Sequence, residues 1–165
     1  MQHVQTRSTT SALVLTAVLS ALATWLTMYT KIPVPGIRGY FNIGDVVIMT
    51  SALLLGRKKG AYIGAIGPAL ADLFLGYAVF VPITFVVKGI EGYLVGTLYN
   101  KDGYGSALLA TIAGGVTIVA GYFIAEYFVM DPGVAFGGLL TNTIQAVMSV
   151  IISMILYTIL RKRLG

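Results

Sequence analysis

Long apolar segments separated by short polar connections dominate the hydropathy pattern of this chain. Six such segments can be drawn: Ser11–Tyr29, Asp45–Gly56, Ala61–Leu75, Val79–Tyr99, Ser106–Val129 and Ala135–Leu160. A helix that crosses a bilayer needs about 20 apolar residues, so the second and third segments are short. If they formed one crossing, Arg57–Lys59 would lie near its middle, at about 2.5–3.5 kcal/mol per charge. The pattern therefore predicts two helices joined by a basic turn at residues 56–60.

Basic residues are distributed unevenly over the connections. With the 56–60 turn in the cytoplasm, the inner side holds Arg7, Arg57, Lys58, Lys59, Lys101, Arg161, Lys162 and Arg163. The outer side holds Lys31 and Arg38, and Lys88 lies within a segment. This bias follows the positive-inside rule. It predicts an all-α, polytopic membrane protein with six transmembrane helices and both termini cytoplasmic. One membrane domain spans residues 1–165, with short tails at 1–9 and 161–165.

Composition supports a membrane protein and argues against several classes of enzyme. Hydrophobic residues make up 57% and charged residues 10% of the chain, against about 45–50% and 25% in soluble domains. The net charge of +5 is concentrated at segment ends, which indicates a lipid bilayer rather than nucleic acid. Without cysteine, and with His3 as the single histidine, we expect no metal and no cofactor. Neither a P-loop nor a G-x-S-x-G motif occurs, so we expect no enzyme of familiar kind.

The predicted outer connection between the first two segments is unusually complex. It runs from Lys31 to Asn42 and contains two prolines and two glycines. Proline fixes φ and glycine permits positive φ, so a shaped loop is expected rather than a helix. Tyr40 and Phe41 lie in this loop, where their rings could stack on a flat ligand. We therefore expect a solute to arrive at this face.

Polar side chains inside the apolar segments are the best candidates for a site. They are Asp72, Lys88, Glu91, Glu126, Asn142 and Gln145. In the predicted topology all lie in the outer half of the membrane, at one depth. Ionisable residues within membrane segments commonly mark functional sites. The sequence therefore predicts a polar pocket that opens to the outside.

Each of these groups also permits a structural interpretation. Lys88 and Glu91 share a helix face and form an internal ion pair, with Asp72 as a third partner, contacts to a ligand, or both. The amides of Asn142 and Gln145 suit the edge of a heteroaromatic ring, although they also suit bonds between helices. Glu126, one turn from Tyr122, either binds a ligand or lies at the membrane interface.

Small residues spaced four apart occur in three segments. They are Ala17 and Ala21, Gly60 and Gly64, and Gly92 and Gly96. This spacing lets a second helix approach closely. For the glycine pairs we expect packing within the chain. The alanine stripe, which Thr16, Ser20 and Thr24 extend, suits either internal packing or a partner subunit.

These motifs resemble the S components of energy-coupling factor (ECF) transporters, the subunits that capture substrate. The resemblance rests on the six-helix layout, Ala17-x-x-x-Ala21, the run Gly39–Asp45 (GYFNIGD), Ala71-Asp72-Leu73, Gly76-Tyr77, Pro82-x-Thr84 and Lys88–Gly92 (KGIEG). Residues 16–96 match well, and the last two segments match in outline. The stretch is most similar to the group assigned to hydroxymethylpyrimidine or pyridoxine.

The resemblance implies a mechanism and partners. An S component binds a vitamin from outside, associates with a membrane T subunit and two ATPases, and is thought to topple so that its pocket faces the cytoplasm. Ala17 and Ala21 would meet the T subunit. The loop would act as a gate through Lys31, Pro33, Pro35, Arg38 and Phe41. The implied ligand contacts are Tyr40, Asn42, Thr84, Lys88, Glu126, Asn142 and Gln145.

Other interpretations stay open at the level of sequence. The ligand could be riboflavin or a folate fragment rather than hydroxymethylpyrimidine or pyridoxine. The chain could also be a stand-alone vitamin facilitator that needs no ATPase. A third alternative is a membrane assembly factor whose buried charges are purely structural.

Overall fold

Six helices and one short β-hairpin form the part of the chain that the structure describes. The structure, a computed structural model, describes residues 2–30, 32–33, 40–100 and 103–164, and the side chains of 10–30, 42–100 and 103–163. The helices are α1 (Gln2–Tyr29), α2 (Gly44–Leu55), α3 (Arg57–Phe74), α4 (Phe80–Leu98), α5 (Tyr104–Val129) and α6 (Pro132–Leu164). Strands β1 (Ile32–Pro33) and β2 (Tyr40–Phe41) pair antiparallel. The six predicted segments correspond to these helices.

The junction between α2 and α3 is tighter than the sequence analysis predicted. Gly56 alone separates the two helices, and its φ of +85° is one that glycine adopts without strain. Arg57–Lys59 therefore form the first turn of α3, and the prediction of a turn over residues 56–60 is wrong. One left-handed residue reverses the chain, so no longer loop is needed.

The short helix α2 lies at the centre of the bundle. Ten of its twelve residues are buried, and it packs against α1, α3, α4 and α6. Around it the other helices pack in the order α1, α3, α4, α5, α6. Within the described residues α1 and α6 do not contact each other, and α2 floors the cleft between them. At about 1.5 Å per residue, α2 is about 18 Å long, shorter than the hydrocarbon core of a bilayer at about 30 Å.

Among the residues that the structure describes, four helices are long and apolar enough to cross a membrane. They are α1 from Thr10, α4, α5 and α6. The central position of α2 explains why the second predicted segment is short, since a helix shielded by others need not match the thickness of the lipid. Six crossings and cytoplasmic termini stay predictions.

Glycines bring α3 and α4 into backbone contact. A Cβ atom on Gly92 would lie 2.2 Å from the carbonyl oxygen of Gly60, and one on Gly64 would lie 2.1 Å from that of Lys88. Real Cβ atoms do not approach this closely, so only glycine fits at these positions. The prediction that both glycine pairs pack within the chain is confirmed. The contact also fixes the position of Lys88 relative to Gly64 on α3.

The small-residue stripe of α1 divides into a buried and an exposed part. Ser20, Ala23 and Thr24 are buried, and the Thr24 hydroxyl donates to the Gly67 carbonyl on α3 at 2.9 Å. Ala17 and Ala21 remain exposed, in a groove between α1 and α3. Packing within the chain thus holds for Ser20 and Thr24, and a contact of Ala17 and Ala21 with a partner subunit stays a prediction.

An aromatic cluster closes the end of the bundle at which α4 and α6 end and α5 begins. Tyr157, only 1% exposed, is hydrogen-bonded through its hydroxyl to the Tyr99 hydroxyl and accepts from Arg161 Nη1 at 3.0 Å. The Arg161 guanidinium also lies 5.7 Å from the centre of the Tyr104 ring. This cluster joins the end of α4, the start of α5 and the end of α6.

Candidate functional site

A cavity lies where α1, α3 and α5 end and where α4 and α6 begin. The space open to the centre of a water molecule is about 60 Å³. Its lining residues are Thr27, Asn42, Pro68, Asp72, Tyr77, Phe80, Thr84, Lys88, Tyr122, Glu126, Gly138, Thr141, Asn142 and Gln145. Five helices and two connections thus contribute to one small chamber, and most of the residues that line it carry polar side chains.

Most of the predicted ligand contacts meet in this cavity. The lining includes Asn42, Thr84, Lys88, Glu126, Asn142 and Gln145, and also Asp72. Their convergence follows the predicted common depth. The backbone of Tyr40 lies in β2, and its side chain is outside the described residues. A role in binding stays a prediction for all seven contacts.

The predicted gating residues are described only in part. Pro33 and Phe41 belong to the β-hairpin, in which Pro33 pairs with Tyr40 and Ile32 with Phe41. Lys31, Pro35 and Arg38 lie outside the described residues. The loop from 31 to 42 therefore contains strand pairing near both ends, and β2 lies against α6.

A buried cluster of charges lies behind the wall of the cavity, which it reaches through Lys88. Lys88 Nζ lies 2.6 Å from Asp45 Oδ1 and 3.3 Å from Glu91 Oε2, and all three side chains are at most 2% exposed. The Tyr122 ring covers another side of the ammonium group, with its centre 5.4 Å from Nζ. The predicted pair of Lys88 and Glu91 is thus present. Asp72, the predicted third partner, lines the cavity from α3.

Hydrogen bonds connect this cluster to the end of the hairpin. Gln145 Nε2 donates to Asp45 Oδ2 at 2.7 Å. Gln145 Oε1 accepts from the backbone N–H of Asn42 at 3.2 Å and from Asn42 Nδ2 at 3.4 Å. The next residue, Ile43, donates its N–H to the Thr30 hydroxyl at 3.0 Å. The segment after β2 is therefore held by α6 and by the end of α1.

Glu126 occupies the α5–α6 side of the cavity. It is 5% exposed, and its Oε2 atom makes no hydrogen bond within the described residues. A Cβ atom on Gly138 would lie 2.7 Å from Oε2 and 3.3 Å from Asn142 Nδ2, so the absence of a side chain at Gly138 leaves room beside both groups. Nearby, the hydroxyls of Thr84 and Tyr122 are hydrogen-bonded at 2.9 Å.

Sequence analysis missed Asp45, which holds Lys88 in place. The residue was placed at the boundary of a predicted segment, where a carboxylate needs no partner. It is fully buried because α2 is an internal helix. The available signal in the sequence was an acidic residue directly after a glycine, at the start of an apolar segment. That glycine, Gly44, packs against Thr27, because a Cβ atom on it would lie 2.1 Å from the Thr27 hydroxyl oxygen.

A family model described as "ECF-type riboflavin transporter, S component" matches residues 7–162. This chain belongs to that family. S components are integral membrane proteins that act with T and ATPase subunits, and they transport vitamins rather than catalyse reactions. The family predicted from the sequence motifs is thereby confirmed.

Individual relatives of this S component cover nearly the whole chain. A Pyrococcus woesei protein, described as an uncharacterized protein in the gap 3′ region, is 41% identical over 140 residues, or 84% of this chain and 94% of the relative. The thiamine precursor transporter HmpT of Lactococcus lactis subsp. cremoris is 29% identical over 152 residues, or 91% and 87%.

Solved structures share the fold of this S component. An S component of a bacterial ECF transporter superposes with a TM-score of 0.78 at 21% identity, covering 95% of this chain and 99% of that one. The S component for biotin from an ECF-type transporter gives 0.70 at 18% identity, covering 94% and 93%. At these identities the likeness establishes the fold alone.

Proposed function

We propose that this S component captures a small vitamin precursor from outside the cell, hydroxymethylpyrimidine in preference to pyridoxine. It then delivers the ligand through a complex with a T subunit and two ATPases. The observation that carries the proposal is the cavity in which six predicted contacts meet. Asn42, Thr84, Glu126, Asn142 and Gln145 supply the hydrogen-bonding groups, and Lys88, held by the buried charges behind it, completes this part of the wall.

The size of the cavity supports a ligand with one ring. Pockets for drug-sized molecules occupy about 300–1,000 Å³, whereas this cavity offers about 60 Å³ to the centre of a water molecule. Its mixture of carboxyl, amide and hydroxyl groups suits a ring that carries amino and hydroxymethyl substituents. The name of the Lactococcus relative, a thiamine precursor transporter, agrees with a ligand of this class.

Riboflavin is the second candidate, because the matching family model is described by that vitamin. Its tricyclic ring would require the cavity to widen considerably. Movement of the segment that Asn42 anchors to Gln145 is the structural change that would provide such space. A folate fragment has no comparable support.

Native mass spectrometry of the detergent-purified chain, expressed in rich medium, tests the substrate. We expect a co-purifying mass of hydroxymethylpyrimidine or pyridoxine, and micromolar or tighter binding of one of them by calorimetry. A flavin mass would reject the single-ring ligand while keeping the transporter family. An S component that binds none of these compounds would contradict the proposed capture function.

The exposed alanines of α1 are the proposed contact with the T subunit. Ala17 and Ala21 lie in the groove between α1 and α3, where Tyr62 and Ile66 form part of the wall. Small side chains allow a partner helix to approach closely. This placement is compatible with six crossings and cytoplasmic termini, because the groove lies towards the basic end of the bundle.

Co-purification with co-expressed T and ATPase subunits tests this surface. Ala17→Leu and Ala21→Leu should each reduce recovery of the complex without changing vitamin affinity. Val18→Leu, at a residue that is 58% exposed on a neighbouring face of α1, is the matched control. Equal recovery of all variants would contradict the assignment. Vitamin uptake by the S component alone would instead favour the stand-alone facilitator.

A further inference from the structure

The carboxyl group of Glu126 is placed to receive something that the chain itself does not supply. Glu126 is buried, with only 5% of its surface accessible to solvent. Oε2 has no hydrogen-bond partner within the described residues, although it borders the cavity. A buried polar group without a partner is costly, and more so when it is charged. A ligand with a hydrogen-bond donor would remove that cost.

The neighbouring positions keep this corner of the cavity open. Because residue 138 is glycine, the space beside Oε2 and Asn142 Nδ2 is free. A Cβ atom at this position would lie 2.7 Å from Oε2 and 3.3 Å from Nδ2. Glu126 thus presents an acceptor and Asn142 an amide to the same small volume. An acceptor beside an amide is suited to an amino group next to a ring nitrogen, because such an edge offers both a donor and an acceptor.

Lys88 does not compete for the role of ligand anchor. Two carboxylates, at 2.6 and 3.3 Å, already form ion pairs with its ammonium group, and the Tyr122 ring covers a further side. Its positive charge is therefore neutralised within the protein. An acidic or phosphorylated substituent would find no compensation from Lys88 and would be disfavoured next to Glu126.

We propose that Glu126 forms an acceptor subsite for an amino group on the ligand ring, so that the pocket selects an amino-substituted heterocycle over its oxo counterpart. This inference rests on the proposed function. An oxo group at the same ring position would direct a second acceptor at Oε2. Mismatched buried hydrogen-bonding groups discriminate strongly between ligands of the same shape.

Calorimetry on the purified full-length S component tests the subsite with two probes. They are 4-amino-5-hydroxymethyl-2-methylpyrimidine and its 4-oxo analogue. We expect the amino compound to bind about 10- to 100-fold more tightly, as for one charge-assisted hydrogen bond. In Glu126→Gln the preference should fall to about threefold or less, because an amide can accept from the amino group or donate to the oxo group.

Two controls separate this role from a general effect on folding. Asp131→Asn makes the same chemical change at an exposed residue outside the cavity lining and should keep the wild-type preference. Gly138→Ala should weaken binding of the amino compound about tenfold or more by crowding Oε2. Gly105→Ala, where an added Cβ meets nothing within 4 Å, should not.

The outcomes are distinguishable from failure of the proposed function. Equal binding of both probes to the wild type, or an unchanged preference in Glu126→Gln, would overturn the acceptor subsite and leave single-ring capture intact. If the wild type binds neither pyrimidine but binds riboflavin, the proposed substrate is wrong and the subsite inference is overturned with it.

Discussion

Replacing Lys88 with methionine tests how the buried charges stabilise the bundle. Methionine keeps a long, unbranched side chain but removes the ammonium group. Asp45 at 2.6 Å and Glu91 at 3.3 Å would both lose their counter-ion. Glu91→Gln, in contrast, leaves the shorter pair between Lys88 and Asp45. Lys88→Met should therefore be less stable than Glu91→Gln, although each variant removes one charge.

The expected magnitudes follow from the burial of these groups, which are at most 2% exposed. Removing one partner of a buried ion pair costs about 3–5 kcal/mol. For a chain of this size 1 kcal/mol lowers the melting temperature by about 2–4 °C. Lys88→Met should thus melt about 6–20 °C below the wild type. For Glu91→Gln we expect about 1–2 kcal/mol, as for one lost hydrogen bond, or about 2–8 °C.

A triple variant makes the prediction specific to charge. Lys88→Met combined with Asp45→Asn and Glu91→Gln removes every charge of the cluster and should melt above Lys88→Met alone. Circular dichroism during heating, in one detergent and at one scan rate, measures all variants, with Lys58→Met at an exposed position as control. If the triple variant melts at or below the single one, uncompensated carboxylates are not the cause of the destabilisation.

Three further predictions address other contacts. Gly92→Ala should lower the melting temperature by about 2–12 °C, because its Cβ would lie 2.2 Å from the Gly60 oxygen and overpacking costs about 1–3 kcal/mol. Gly105→Ala is the control, and equal melting temperatures of the two variants would refute the close approach of α3 and α4. Gln145→Ala should raise the rate of vitamin release, measured by stopped flow, about tenfold, since Asn42 loses its acceptor. Thr143→Ala, whose hydroxyl group bonds within its own helix, is the control and should release the vitamin at the wild-type rate. An unaltered rate in Gln145→Ala would mean that this hydrogen bond does not retain the loop. Tyr157→Phe should lower the stability by about 1–2 kcal/mol through loss of its hydrogen bonds to Tyr99 and Arg161, without altering vitamin affinity. Thermal melting and calorimetry test this, with Tyr62→Phe at an exposed residue as control. A change in affinity would contradict the independence of the aromatic cluster from the cavity at the other end of the bundle.

The helices and the polar pocket were predictable because their signals are local. Apolar segment length is encoded in consecutive residues, and an ionisable residue inside such a segment is conspicuous. Lys88 and Glu126 could therefore be selected from sequence, and alternating helix directions brought their depths together. The junction at Gly56 was misjudged because a single residue with positive φ can replace a turn of several residues.

Contacts between helices were beyond the reach of the sequence pattern. Nothing local distinguishes Asp45 as the partner of Lys88, since their pairing depends on α2 being internal. The exposure of Ala17 and Ala21, one to two turns from buried Thr24, likewise depends on how α1 packs against α3. Such assignments require the angle and separation of two helices, which a hydropathy pattern does not contain.

The same contacts bear on how the pocket could reach the other side of the membrane. A rocking mechanism needs two halves that separate along an interface. Here α3 and α4 touch backbone to backbone at Gly60 and Gly92, and the charge cluster joins α2 to α4. Parting α3 from α4 would forfeit their close packing, and parting α2 from α4 would leave unpaired charge in hydrocarbon, which is costly. The construction therefore favours reorientation of the bundle as one body, as the family resemblance implies, with local opening confined to the segment that Gln145 holds.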